Sequence, residues 1–185
     1  MSIYDATFAL IDALDEAKIP YMLSGSLSSM YYSFPRATTD ADFVIDLGET
    51  PIADLGETLR KGFHLDPQLT FEMLGGTTKH VVDVLGTPFK IELFRLSSTP
   101  FDQSRFARRI KAKLLDRDVW LPTAEDVILQ KLSWNRPKDR EDILGVMIAN
   151  HSSLDRGYLS HWCDELNIRV LFAQMWSEAQ ELGDE

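Results

Sequence analysis

The chain has one cysteine, Cys163, among 185 residues, which excludes an intramolecular disulfide and agrees with a reducing compartment. No apolar run approaches the ~18 residues of a membrane span, and the start carries no basic segment followed by an apolar core. A cytoplasmic protein without a membrane partner is therefore expected. Four histidines form no metal spacing. His161, beside Trp162 and Cys163, lies on a helical pattern and lacks the further ligands that zinc needs. A Walker-type phosphate loop is missing as well: Gly75-Gly76-Thr77-Thr78-Lys79 has the wrong spacing and runs into a β-branched strand, so it reads as a hairpin turn. Positive charge is scarce, with 19 Lys and Arg against 29 Asp and Glu and a net charge of −10, which argues against a general nucleic-acid coat protein.

The basic residues that exist are unevenly placed. Ten lie between Arg105 and Arg140 (Arg108, Arg109, Lys111, Lys113, Arg117, Lys131, Arg136 and Lys138 are the others) against five acids, so this segment is net +5 and the remainder −15. A basic segment in an acidic chain suits either a local polyanion site or a solvated charged face. The length is that of one domain, or one domain with a helical appendage, and is enough to bury a core.

The rest of the chain is organised around Tyr21 to Asp46. Tyr21 to Ser24 reads as a short apolar strand, Gly25 as the turn, Ser26 as the N-cap of a helix from Leu27 to Phe34, and Pro35 as its stop. Asp40 and Asp42 follow on a second strand. Side chains on a strand alternate, so both carboxylates project from one face while Ala41 and Phe43 project from the other. Backbone N–H groups near Gly25 and Ser26, at the positive end of a helix, suit a phosphate. Paired carboxylates suit magnesium, which takes one or two of them together with waters and phosphate oxygens. The two halves together describe a metal-bound nucleoside triphosphate. Acid-x-acid spacing alone is cheap in this chain, since Asp116-Arg117-Asp118 and Asp139-Arg140-Glu141 share it; the order strand, Gly-Ser turn, helix, acidic strand is what distinguishes Asp40 and Asp42.

Before this stretch, Ile3 to Lys18 is an amphipathic helix that ends ahead of Pro20. After it, Pro51 opens a helix that Gly62 ends. Short strands are expected at Leu69 to Leu74, His80 to Leu85 and Phe89 to Phe94, with Gly86-Thr87-Pro88 as a turn. If Thr87-Pro88 are the two loop residues, Asp83 stands directly across from Glu92. From Phe101 the pattern is helical: Asp102 to Arg109, an extended Val119 to Leu121, a helix capped by Thr123 with Asp126 at N3, then Asp139 to Ala149, Asp155 to Leu166 and Ile168 to about Leu182. In the Thr123-capped helix Lys131 lies one position outside the apolar set, free to reach solvent or the cleft. Met30, Tyr31, Tyr32, Trp134, Trp162 and Trp176 read as packing residues. The fold class is α/β (α+β), a mixed sheet flanked by helices with a C-terminal helical region, and the expected division is 1–100 and 101–185.

Gly25-Ser26, a spacer, and Asp40-x-Asp42 with a later third acid resemble the nucleotidyltransferase superfamily that includes DNA polymerase beta. Arg36-x-Thr38-Thr39-Asp40-x-Asp42, Pro122-Thr123-Ala124-Glu125-Asp126 through Lys131-Leu132, and Lys138-Asp139-Arg140-Glu141-Asp142-Ile143 are similar to blocks of the bacterial AbiEii-like nucleotidyltransferases, found among toxins of type IV toxin/antitoxin systems. The likeness covers roughly Ile19 to Ala149. The spacer from Ser26 to Asp40 is longer than is common in those toxins, and the third acid is Glu. The resemblance implies transfer of a nucleoside monophosphate from an NTP to a hydroxyl of a macromolecule, RNA such as tRNA in the first place, with two magnesium ions held by Asp40, Asp42 and Glu92. It implies that Gly25 and Ser26 hold phosphates, that Arg36, Lys131 or Lys138 neutralise them, with Lys131 favoured, and that a cognate antitoxin protein is a partner. Modification of a protein, or an inert relative serving as a binding partner, are the rival readings.

Overall fold

The computed structural model describes residues 1–59, 61–73 and 76–183. Helix α1, Ile3–Glu16, starts with a reciprocal capping box between Ser2 and Asp5 and buries Leu10, Ile11 and Leu14. Strand β1, Tyr21–Ser24, leads directly into α2, Gly25–Tyr32. Then come β2, Asp40–Ile45; α3, Ile52–Thr58; β3, Phe63–Leu65; β4, Thr70–Glu72; β5, Thr77–Val84; and β6, Lys90–Arg95. The second half holds α4, Pro100–Ala107; a hairpin of β7, Ile110–Leu114, and β8, Arg117–Leu121; then α5, Ala124–Trp134; α6, Asp139–Asn150; α7, Arg156–Glu165; and α8, Arg169–Gly183.

The large sheet has the order β1-β2-β6-β5-β3, with β4 also on β5. Only β2 and β6 are parallel; the other pairs are antiparallel, so the sheet is mixed. One face packs under α1: Phe43, Ile45, Ile91 and Leu93 are fully buried there with Leu10 and Leu14. A second core lies among α4 to α8, around Ile128, Leu132, Val146, Met147, Leu159 and Trp162. The hairpin of β7 and β8 contributes Ala112, Val119 and Leu121 to the first core although it lies beyond residue 100.

Several local expectations shift. Helix α2 begins at Gly25 with Ser24 as its N-cap, so Ser26 lies inside the first turn instead of capping it. Helix α3 ends at Thr58, short of Gly62, and β3 occupies Phe63–Leu65 where no strand was expected. Residues 63–65 carry only one and a half turns of the alternating pattern, too short to stand out before pairing with β5 supplies the ladder. The strand expected from Leu69 is β4, and its end at Leu74 lies outside the described residues, as does Gly75 of the expected hairpin turn. The β5-β6 turn is longer than two residues, because Val84 donates to the carbonyl of Phe89 and Asp83 pairs with Lys90. Glu92 therefore faces Val81, and Asp83 is displaced from it by two pairs along the ladder. Thr123 does cap α5, accepting from the backbone N–H of Asp126. Among the described residues no helix is long and apolar enough to cross a membrane.

Candidate active site

Strand β2 alternates as its sequence requires. Ala41 and Phe43 are fully buried on the core face, where the Phe43 ring meets Tyr21 edge-on at 5.9 Å. Asp40 is exposed and Asp42 half-buried on the other face. Strand β6 runs beside β2 in parallel register, so Asp42 pairs with Glu92 and Asp40 with Lys90. Neighbouring strands lie about 4.8 Å apart, which brings the third acid alongside the first two on one face. The turn closes on the same spot. Gly25 has φ +62°, and a Cβ built on it would lie 1.8 Å from Oδ2 of Asp42. Only glycine allows the start of α2 to lie against that carboxylate.

Clustered acids raise each other's proton affinity. Burial first, then the negative charges of Glu92 and Asp40, push Asp42 up to about 6, against the pull of Lys138 and Arg136. Glu92 has a partner that its apolar sequence neighbours did not reveal: Nζ of Lys79 donates to its Oε1 at 2.8 Å and lies 3.6 Å from Glu72. A lysine two pairs away on β5 thus supplies the opposite charge from within the chain. Among the described residues no three His, Cys, Asp or Glu side chains form a ready cage for an ion. Magnesium does not need one, since one or two carboxylates and substrate phosphate oxygens suffice, and the hard oxygens of Asp40 and Asp42 fit that requirement.

The three cations named from the sequence stand in different places. Arg36 reaches back to the turn, its guanidinium donating to Oγ of Ser26 at 2.7 Å and to both oxygens of Asp142 at 2.9 Å. Lys131 is buried, 3% exposed, and its ammonium donates to Asp142 at 2.7 Å and to Asp139 at 3.2 Å. It does not reach solvent. Lys138, at the N-cap of α6, is exposed and close enough to Asp42 to lower its proton affinity. Arg136 completes a chain of alternating charge by donating to both oxygens of Asp139, at 2.6 and 3.0 Å. Although burial alone would raise Asp142 and Asp139, hydrogen bonds from Arg36 and Lys131 hold the first below the usual carboxylate range, and Arg136 and Lys131 do so for the second.

The basic segment does not form one surface. Arg105 pairs with Asp102, Arg108 with Glu125 and Asp126, Lys111 and Lys113 with Asp118, Arg117 with Asp12, and Arg140 with Glu178. Arg109 stacks on Phe106 and Trp120. With Lys131 and Arg136 already engaged, Arg109 and Lys138 are the two members for which no carboxylate stands within 4 Å among the described residues, and of these Lys138 is the exposed one. Lys79 and Arg136 were missed from the sequence because neither lies in the Gly-Ser or Asp-x-Asp stretch; only strand register and the α5-α6 turn bring them in.

Comparison with known proteins follows the fold. No family profile and no curated protein matches the sequence. Among solved structures the chain is similar to ANT(2'')-Ia in complex with adenylyl-2''-tobramycin, with a TM-score of 0.61 and 13% identity over 90% of this chain and 97% of that one. An antigenic nucleotidyltransferase-like protein from Paracoccidioides brasiliensis gives a TM-score of 0.56 and 18% identity, covering 92% and 91%. JHP933 from Helicobacter pylori gives 0.51 and 13%, covering 97% and 87%. At such identities the likeness is one of architecture, and it extends over nearly the whole of each chain. The mixed sheet and the helices that flank and follow it have the architecture of these nucleotidyltransferase structures.

Proposed function

We propose that the protein transfers a nucleoside monophosphate from an NTP to an acceptor hydroxyl, with release of pyrophosphate and dependence on a divalent metal. The acceptor oxygen would attack the α-phosphorus, the bond to the bridging oxygen of pyrophosphate would break, and the hydroxyl proton would pass to solvent. The observation that carries this reading is the convergence of Gly25, Asp42 and Glu92: the turn lies against one carboxylate whose register partner is the other. Asp40 and Asp42 would hold magnesium together with phosphate oxygens, and bound there it would neutralise phosphate charge and acidify the acceptor hydroxyl. Glu92 would join them on leaving Lys79, which becomes free to meet a phosphate. Gly25 and Ser26 would take the outer phosphates, with Arg36 and Lys138 supplying positive charge. Lys131 acts on this site by holding Asp142, and through it Arg36, in place.

The likeness to AbiEii-type enzymes rests on the sequence motifs, and with it the proposal of an RNA acceptor, a toxin role and an antitoxin partner. A second acceptor class has an observation in its favour. The basic segment that could have suited a polyanion is largely paired within the chain, the net charge is −10, and ANT(2'')-Ia, matched along its length, is found with an adenylylated tobramycin. A small hydroxylated cation suits an acidic protein better than a polyanion does. Incubation with each labelled NTP, magnesium, and total RNA, cell lysate or an aminoglycoside in separate arms distinguishes them. Label on RNA, sensitive to ribonuclease, supports the first; label on the small molecule supports the second; label on protein points to a protein-modifying enzyme; and no transfer in any arm refutes the enzyme reading.

A further inference from the structure

A narrow, partly open slot lies beside the carboxylates, on the same face of the sheet. Its floor is Ser24, the register partner of Asp42, with Val44 and Phe94, each two residues further along β2 and β6 than Asp42 and Glu92. Its roof is α5, through Gln130 and Trp134. Two polar atoms on that roof are buried without a hydrogen-bond partner among the described residues: Oε1 of Gln130 and Nε1 of Trp134. Native interiors rarely leave such atoms unmade, and two of them on one lining ask for a ligand. They are an acceptor and a donor four residues apart on one helix face, separated by about 6 Å of rise. Two cations tie its aromatic walls to the acids: Lys79, which holds Glu92, stands 5.3 Å over the Phe94 ring, and Arg136, whose charge reaches Asp42, stands 4.4 Å over the Trp134 ring.

We infer that this slot receives the heteroaromatic base of the incoming nucleotide, with the Gln130 carbonyl accepting from an N–H on the base edge and the Trp134 indole donating to a ring nitrogen or carbonyl. The inference rests on the nucleotidyl-transfer reading and adds the residues that choose the base. Three features favour a base over an acceptor sugar. The slot is bounded by an aromatic ring from the sheet and another from the helix, which suits a flat ring system. Its two orphan groups are complementary, as a base edge with one donor and one acceptor requires. It also begins one strand step from the carboxylates, where a group tied through ribose to the α-phosphate must lie.

The test uses the full chain and calorimetry with magnesium, comparing tripolyphosphate with ATP, CTP, GTP and UTP. Tripolyphosphate has the phosphates without the base. The wild type is expected to bind one NTP at least tenfold more tightly than tripolyphosphate. Gln130→Leu and Trp134→Phe, which keep the bulk of each side chain, should each remove about tenfold of that advantage and flatten the preference among bases, with tripolyphosphate binding unmoved. If both variants keep the wild-type ranking of NTPs, or lose affinity only for the acceptor, the slot does not read the base and the inference fails while the transferase reading stands. If neither tripolyphosphate nor any NTP binds the wild type, both fall.

Discussion

Replacing Gly25 by alanine tests the site and its geometry at once. Two costs follow from the structure. The backbone at Gly25 has φ +62°, where a Cβ costs about 1–2 kcal/mol. The new methyl would also lie 1.8 Å from Oδ2, 2.6 Å from Cγ and 2.9 Å from Cβ of Asp42. Rotating the carboxylate away relieves the first two contacts but not the third, so β2 and the turn must separate by some tenths of an ångström as well. A carboxylate moved by about 1 Å or more from its working position is expected to cost about 100-fold in rate. Gly48→Ala is the internal control, because Gly48 also has positive φ, +50°, with nothing within 4 Å of its would-be Cβ. Both variants should lose about 2–8 °C of melting temperature from the backbone term. Transfer, measured well below both transitions at saturating magnesium and NTP, should fall about 100-fold in Gly25→Ala and stay near wild type in Gly48→Ala. Near-normal transfer by Gly25→Ala, with Gly48→Ala equally destabilised, would refute the claim that the turn and Asp42 share one working geometry.

In chelator, Asp42→Asn should stabilise the protein at pH 7. Asp42 is pushed from 3.8 up to about 6 in the fold, so its ionisation opposes folding above pH 6 and ceases to do so as pH falls toward 3.8; the gap corresponds to about 3 kcal/mol, which solvent at this half-buried group reduces to about 1–2 kcal/mol. Melting curves from pH 7 to 4.5 should show the wild type gaining on Asp42→Asn as acidity rises, and parallel curves would contradict this. Glu92→Gln should abolish transfer, whereas Asp83→Asn, at a residue opposite Lys90, should cost no more than about 10 to 100-fold; the reverse ranking would mean that the third acid lies on the other strand. Lys131→Met should destabilise by about 1.5–3 kcal/mol, since it removes the cation shared by two buried carboxylates and leaves each to one arginine, while Lys138→Ala should leave the melting temperature within about 2 °C and raise the KM for NTP. Equal melting temperatures for the two variants would mean that the buried network carries no weight.

The sequence made visible what short-range chemistry dictates. Alternation around Asp40 and Asp42 needed only a strand period, and the core burial of Ala41 and Phe43 is its mirror image. The Thr123 cap and the start of α6 at Asp139 followed from the same kind of local signal. What stayed hidden depends on partners far along the chain. The register that puts Val81 and not Asp83 opposite Glu92 is set by a four-residue turn that a Gly-Thr-Pro run does not define. Lys79 looked like the tail of a glycine-rich decoy and turned out to hold Glu92. The net charge of the Arg105 to Arg140 segment was readable, but its spatial meaning was not, because acids as distant as Asp12 and Glu178 pair with it. Lys131 lay just outside the apolar stripe of its helix and is nevertheless buried, drawn inward by two aspartates from α6.

The alternating chain Arg36, Asp142, Lys131, Asp139, Arg136 works as a brace with both feet on the active site, one at the Ser26 hydroxyl and the other within the field of Asp42. Tilting α6 against α5 would alter the gap between the phosphate turn and the acids. The coupling runs the other way too. A phosphate that draws Arg36 toward itself competes with Asp142 for the guanidinium, and Asp142 is then left to Lys131 alone. Occupation of the turn is therefore felt in the C-terminal helices, and faster amide exchange in α6 on adding nucleotide would be its signature.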